Sequence, residues 1–189
     1  DIDLIKKLIG SKEFIRNELR FCLWIKKSDL PRAEKNPFIV ERIKRTKKHR
    51  LDSKDKSCNE LSSRPYQFRD TKEPVKDQLI VPRVSSERRQ YIPIGYLDKN
   101  TVISDSAQAI YDAPLWLFSV ITSRMHMVWV RAVGGRLKTD YRYSAELCYN
   151  TFPFPDVSDQ KKRELEYHAK QVLSAREAHS ELTMAELYD

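Results

Sequence analysis

Glycine is scarce in this chain, with four among 189 residues. A dinucleotide, ATP or S-adenosylmethionine site built on a glycine-rich turn needs several of them after a strand, so that backbone can approach the cofactor closely. No GxGxxG or P-loop pattern occurs, and a cofactor site of that class is not expected here. The GxSxG elbow of a serine hydrolase and the HExxH helix of a zinc protease are missing as well. Cysteine is equally sparse. Cys22, Cys58 and Cys148 are odd in number, far apart and without a CxxC pair, which speaks against a disulfide framework or a structural zinc site. Cys22 and Cys148 have apolar and aromatic neighbours and read as small buried hydrophobes. The histidines, His49, His126, His168 and His179, show no ligand spacing, so no metal is expected. No apolar run approaches the roughly 18 residues that span a bilayer. The opening DIDLIKKLIGSKEF carries no secretory pattern, so the expectation is a cytoplasmic protein without a membrane partner.

Charge is what the chain has in excess. Charged residues make up 33% of it, the formal net charge is +8, and an apolar share of 40% suffices for a folded core. Such a balance favours polyanionic partners, the bland alternative being a merely soluble basic protein. The segment from Ser123 to Pro155, SRMHMVWVRAVGGRLKTDYRYSAELCYNTFPFP, concentrates the signal. Arg124, Arg131, Arg136, Lys138 and Arg142 are interleaved there with Trp129, Tyr141, Tyr143 and Tyr149 around Gly134-Gly135. Fixed cations suit a phosphate backbone, and flat or forked side chains suit bases.

The periodicities predict an α+β fold of short antiparallel strands and packed helices, followed by a helical C-terminal segment. Glu13-Phe14-Ile15 and Leu19 to Ile25 read as two strands joined by a tight turn. Pro37 opens a helix carrying Arg42, Lys44, Arg45, Lys47, Lys48 and Arg50. These cannot share one face; the helix is either solvated with a basic surface or in contact with phosphate. Asp52 to Pro74 reads as a loop anchored by Tyr66 and Phe68. Gln78–Val84, Tyr91–Leu97 and Thr101–Ser104 read as antiparallel strands, with Pro82 and Pro93 marking edges or bulges. Asp112 to Ala132 has one helical period, closed by Gly134-Gly135. Leu165, Ala169, Val172 and Leu173 line one side of a later charged helix, which must pack on something. The close at LYD gives no stop signal, so the chain is expected to be a piece of a larger protein.

Recognition chemistry can be assigned by residue type. The Arg fork donates two hydrogen bonds to guanine O6 and N7. The spacing of Arg136, Lys138 and Arg142 fits alternating sides of an extended strand or loop, and it places the three on one face if the segment is a strand throughout. Asp140 either accepts from cytosine N4 or steadies a neighbouring Arg. Arg131, in a last helical turn, also complements the dipole. Glu87 beside Arg88 and Arg89 has no catalytic companion and reads as a surface turn. Tyr149, next to Cys148, reads as core. On its residues this is a binding module rather than an enzyme.

PRVSSERRQYIPIGYL, LFSVITSRMHMVWVRAVGGRLKTDYRYSAELCYNTFPFP and the closing VLSAREAH…LYD strongly resemble the C-terminal part of the MmeI-like DNA methyltransferases, the single-chain Type IIL restriction–modification enzymes. The opening LIGSKEFIRNELRFCLWI and the basic helix after Pro37 match the same order, so the resemblance covers essentially the whole chain. It implies a target recognition domain over residues 1–156 and the start of a C-terminal helical region over 157–189. It also implies duplex DNA as partner, and an upstream methyltransferase domain in the same polypeptide with S-adenosylmethionine as its cofactor and adenine N6 as its target. The host would be bacterial or archaeal. Neither that domain's glycine motif nor its NPPY-type motif occurs here, and Asn150-Thr151-Phe152-Pro153 is no substitute, so this chain is expected to lack catalysis and any cofactor of its own. The candidate DNA-binding residues, chosen on chemistry, are Arg131, Arg136, Lys138, Asp140, Arg142 and Tyr143, with Arg88 and Arg89 as secondary phosphate contacts. The competing reading is a structural or interdomain module whose nucleic-acid contact is incidental. Single-stranded RNA held by the tyrosines is a third, weaker one.

Overall fold

A computed structural model describes residues 2–189. In chain order it contains β1 (Ile5–Ile9), α1 (Ser11–Arg16), β2 (Phe21–Leu23), α2 (Leu30–Ala33), α3 (Pro37–Leu51) and α4 (Lys56–Glu60). There follow β3 (Gln78–Pro82), β4 (Val84–Ser85), β5 (Gly95–Leu97), β6 (Val102–Ile103) and β7 (Ala107–Ile110). Helices α5 (Leu115–Ile121) and α6 (Arg124–Val133), strands β8 (Gly135–Leu137) and β9 (Asp140–Arg142), a π-type turn at Ala145–Tyr149, and helices α7 (Asp159–Glu177) and α8 (Met184–Tyr188) complete the chain. Helices beside short strands in small sheets make this an α+β fold, as the periodicities led us to expect. The chain divides into two compact units, residues 1–7 with 21–73, and residues 8–20 with 74–189.

In the first unit β1 and β2 pair antiparallel, Ile5 opposite Leu23 and Lys7 opposite Phe21. Leu4, Ile25, Ala33 and Ile39 form its small buried core, with Ile43 and Tyr66 packed against them. Helix α3 starts where Asn36 accepts a hydrogen bond from the Phe38 N–H (3.0 Å), with Pro37 in its first turn. Both features satisfy or remove orphan donors of a helix start. Its inner face is spaced at Ile39, Ile43, Thr46 and Arg50, the helical period. Arg50 bends inward to donate to the carbonyls of Leu61 (2.9 Å), Arg64 (2.9 Å) and Gln67 (2.7 Å). One guanidinium thereby ties down the following segment, and its partial burial lowers the Arg50 pKa. That segment is not the plain loop expected for residues 52–74, since it contains α4 and a 3-10 turn at Leu61–Ser63. Phe68 stacks on Trp24 with ring centroids 5.6 Å apart.

The second unit holds the larger core. Strand β3 lies between β5 and β7, antiparallel to both, and every one of its residues is buried. Leu79, Val81, Ile94, Phe118, Val130 and Cys148 meet there; each large apolar side chain so buried stabilises the fold by about 1.5–3 kcal/mol. Helix α7 lies against α5, burying Ala169 and tied to it by the Ser119 hydroxyl donating to the Leu165 carbonyl (2.6 Å). Leu8 and Ile9 pair in parallel with Val102 and Ile103 of β6, and β4, β9 and β8 form a third antiparallel sheet.

Several local expectations are corrected; the strand expected at residues 101–104 is β6, but it pairs with Leu8 and Ile9 in parallel rather than antiparallel. The supposed strand at residues 13–15 is helix α1, because the Glu13 carboxylate accepts from the Gly10 N–H (2.9 Å) and caps a helical turn. The partner of β2 is instead Ile5–Ile9, whose two lysines hid a strand. Residues 112–132 are two helices rather than one. The Ser123 hydroxyl accepts from the His126 N–H (3.2 Å) and starts α6 afresh. Pro82 does not mark an edge: β3 is central, and Pro82 occupies its last position, where a missing N–H interrupts least of the ladder. Pro93 does precede an edge strand, β5. Gly134 ends α6 as expected, with an extended backbone (φ −70°, ψ 147°). Its need for glycine is steric, since a Cβ there would lie 2.5 Å from the Val130 carbonyl oxygen.

Candidate nucleic-acid interface

The segment after Gly134 folds into a two-stranded hairpin in the second unit. Gly135 lies opposite Arg142, Arg136 opposite Tyr141, and Leu137 opposite Asp140. The two residues between are Lys138 and Thr139; Lys138 has φ 56°, and a positive φ at the first turn position alone is the signature of a type II′ hairpin turn. Residues opposite each other in an antiparallel pair share a face. Arg136 is therefore on the face of Tyr141, whereas Arg142 is on the other face with Gly135. The segment is not one strand throughout, so the common face for Arg136, Lys138 and Arg142 does not arise, and Arg136 and Arg142 fall on different sides.

Tyr141 anchors the hairpin. It is 7% exposed, and the Arg136 guanidinium lies 4.1 Å from its ring centroid. A cation held over an aromatic face gains on the order of 0.5–2 kcal/mol and loses rotational freedom. Arg136 also donates to the Thr139 carbonyl (3.1 Å), across the turn. Arg131, at the end of α6, donates through Nε to the Tyr141 hydroxyl (3.2 Å) and through its terminal nitrogen to the Gln90 carbonyl (3.3 Å). Asp140 accepts from the Glu87 N–H (3.3 Å), which ties the hairpin to the turn before Arg88. Strand β4 flanks the hairpin, Val84 opposite Arg142 and Ser85 opposite Tyr141.

Beneath this lies a buried polar pair. The Tyr143 hydroxyl and His126 Nε2 are 3.0 Å apart, and the two residues are 2% and 1% exposed. Burial lowers the His126 pKa to about 4 and raises that of the Tyr143 phenol, so both are neutral near neutral pH. Phe152 packs edge-on against His126, ring centroids 4.6 Å apart.

The candidate residues thus separate by position. Arg88, Arg136, Lys138 and Arg142 are exposed. Arg131 is exposed too, with its guanidinium engaged by Tyr141 and Gln90. Asp140 is half-buried. Tyr143 and Arg89 are inside: Arg89 is 7% exposed and grips the Asp189 carboxylate with two nitrogens, at 2.7 and 3.2 Å. In this arrangement neither presents its polar atoms outward. Arg83, which composition alone did not single out, is exposed immediately before β4, and its carbonyl accepts from the Tyr143 N–H (2.8 Å). Only its place in PRVSSERRQ pointed to it. Among the described residues no group of three or more His, Cys, Asp or Glu side chains is placed to hold a metal ion. No helix there is long and apolar enough to cross a membrane.

An α+β unit that presents a cationic hairpin on an aromatic anchor is a recognition module in form, and the family is defined by comparison. Residues 2–156 match the model of the family described as MmeI, target recognition domain, and the chain belongs to that family. It is 48% identical over 188 residues to DNA methyltransferase A of Bacillus subtilis (strain 168), covering 100% of this chain and 21% of that protein. It is also similar to the solved structure of the Type IIL restriction–modification enzyme MmeI in complex with DNA, with 38% identity and a TM-score of 0.92 over 98% of this chain. The chain spans 25% of that structure's chain, so it corresponds to about a quarter or less of either relative.

Proposed function

We propose that this chain is the duplex-DNA recognition module of a site-specific DNA adenine-N6 methyltransferase. Residues 1–156 are the target recognition domain and residues 157–189 begin a helical C-terminal region. Methyl transfer from S-adenosylmethionine takes place in a methyltransferase domain upstream in the same polypeptide, and residues 1–189 contribute no catalytic or cofactor-binding group.

The observation that carries this reading is the exposed hairpin of residues 135–142, in a chain of the MmeI target recognition family. A two-stranded ribbon fits a major groove roughly 12 Å wide, and a forked Arg donor pair discriminates guanine from other bases by about 1–3 kcal/mol. Arg136 and Arg142, on opposite faces of the ribbon, serve different positions: one addresses base edges while the other meets sugar or phosphate. Lys138 at the turn and Arg88 neutralise phosphates. Arg131, Asp140, Tyr143 and Arg89 are positioning residues. They hold Tyr141, the residue 85–89 turn, His126 of α6 and the Asp189 side chain so that the exposed cations keep their geometry. The energetic logic is that extruding an adenine from the stack costs a few kcal/mol, which groove binding by a separate domain offsets while selecting the site. Support comes also from the relatives, one named as a DNA methyltransferase and one solved with DNA.

Mapping adenine methylation in a host that expresses the complete polypeptide tests this. A single short motif is expected; methylation spread over adenines without sequence preference refutes the recognition role. The second reading, a module that holds another domain, draws on exposed apolar side chains of α6, Met125 (69%) and Val128 (55%). Under that reading Met125→Gln/Val128→Gln loses assembly with the site preference unchanged.

A further inference from the structure

The recognition reading leaves the most concentrated charge in the chain unused. Around α3 the buried Ile39 and the half-buried Ile43, Thr46 and Arg50 occupy one side, and the remaining arc carries Arg42, Lys44, Arg45, Lys47 and Lys48, all exposed. The acid on that arc, Glu41, is already paired with Arg45 (2.9 Å). Arg42, Lys44, Lys47 and Lys48 have no ion-pair partner among the described residues.

A solvated helix does not need this pattern. Lys44 with Lys47, Lys44 with Lys48 and Arg45 with Lys48 are like-charge neighbours at helical spacings of three and four, and each such pair destabilises an isolated helix by about 0.2–0.5 kcal/mol. The helix dipole accounts for cations in the last turn only, and Arg42, Lys44 and Arg45 lie before it. Arg50 shows what a structural cation looks like in this helix: it turns inward and satisfies three carbonyls. Apart from Arg45, the outer row pairs with no acid among the described residues. Lys44 and Lys48 stand about 6 Å apart along the axis at 1.5 Å per residue, and their flexible stems reach phosphates without demanding a fixed angle.

We propose that the outer face of α3, through Lys44, Lys47 and Lys48 with Arg42 beside them, is a sequence-independent grip on the phosphate backbone of duplex DNA. This rests on the reading that the chain binds duplex DNA, and it assigns to α3 affinity without base choice. Point charges that replace condensed counterions act through counterion release, so their signature is the salt dependence of binding.

The test compares the complete wild-type polypeptide with Lys44→Gln/Lys47→Gln/Lys48→Gln and with the matching triple Lys→Arg variant. Binding is measured by fluorescence anisotropy on a duplex carrying the methylated motif and on a scrambled duplex, across a salt series. Each lost phosphate contact removes about 0.9 from the slope of log K against log salt, so the Gln variant flattens it by about 2–3. Its affinity falls at least about tenfold on both duplexes alike, its motif preference is unchanged, and the Arg variant keeps the wild-type slope. The grip is refuted if the Gln variant retains slope and affinity, or if it loses affinity for the motif duplex alone. A motif preference that persists beside an insensitive slope refutes the grip and leaves the recognition reading intact. A wild type with no motif preference, whose slope the Gln variant still flattens, refutes the recognition reading and leaves the grip standing.

Discussion

His126 should make the second unit sensitive to mild acid. Its ring is 1% exposed, Nε2 meets the Tyr143 hydroxyl at 3.0 Å, and Nδ1 is buried with no hydrogen-bond partner among the described residues. Burial depresses its pKa from the ordinary 6.5 to about 4. The unfolded chain then binds a proton that the folded chain refuses, so stability is intact above the unfolded pKa and is lost as pH falls toward the folded one. The full loss is about 3 kcal/mol at about 1.4 kcal/mol per pKa unit, and about 2 kcal/mol of it has gone by about pH 5. That is a sizeable part of the roughly 5–15 kcal/mol that holds a domain together. The assay is urea unfolding of wild type and His126→Gln between about pH 7.5 and 5, a window above most carboxylate titration. The wild type should lose about 2 kcal/mol more than the variant over that window. Equal pH dependence of the two refutes the account, since it means that His126 charges as freely in the folded state as in the unfolded chain.

Gly10→Ala should destabilise by about 1–3 kcal/mol in thermal unfolding, because its Cβ would lie 2.2 Å from Ser106 Oγ and 2.4 Å from Ser104 Oγ; an unchanged melting temperature would mean that these serines swing clear. Arg50→Ala removes the guanidinium's bonds to the carbonyls of Leu61, Arg64 and Gln67, the first two of which keep backbone donors from Arg64 and Gln67, and should cost about 1–3 kcal/mol, with proteolytic nicking concentrated at residues 61–69; wild-type protease resistance would show that the guanidinium orders nothing. Of Arg136→Ala and Arg142→Ala, separately placed in the complete polypeptide, one should relax the methylated motif at one position by about tenfold to a hundredfold, and the other should weaken binding without changing the motif. A motif unchanged in both variants refutes the role of the hairpin in base choice.

The sequence was most legible where one residue type forces one conformation or one period runs long. Pro37 and the inner spacing of Ile39 and Ile43 placed α3 at its observed start, and Gly134 ended α6. It was least legible where neighbours in space overrode local pattern. Phe14-Ile15 looks like strand until the Glu13 carboxylate reaches the Gly10 N–H. Lys6 and Lys7 disguise β1, because pairing with Phe21 and Cys22 rather than burial makes it a strand. Nothing at Thr122-Ser123 interrupts the apolar period, so the break between α5 and α6 shows only in the Ser123 cap.

For the candidate interface the division is similar. Charge, aromatics and the Gly-Gly pair marked residues 123–155, and family membership follows from the order of residues alone, since a specific string is its own evidence. Which cations face outward was decided by tertiary structure. A hairpin reversal put Arg136 and Arg142 on opposite faces, the core took Tyr143, and the Asp189 carboxylate took Arg89. Residue type fixes what a side chain can bond to, whereas exposure depends on which distant segments have already claimed its hydrogen bonds, and that is settled only when the chain has folded.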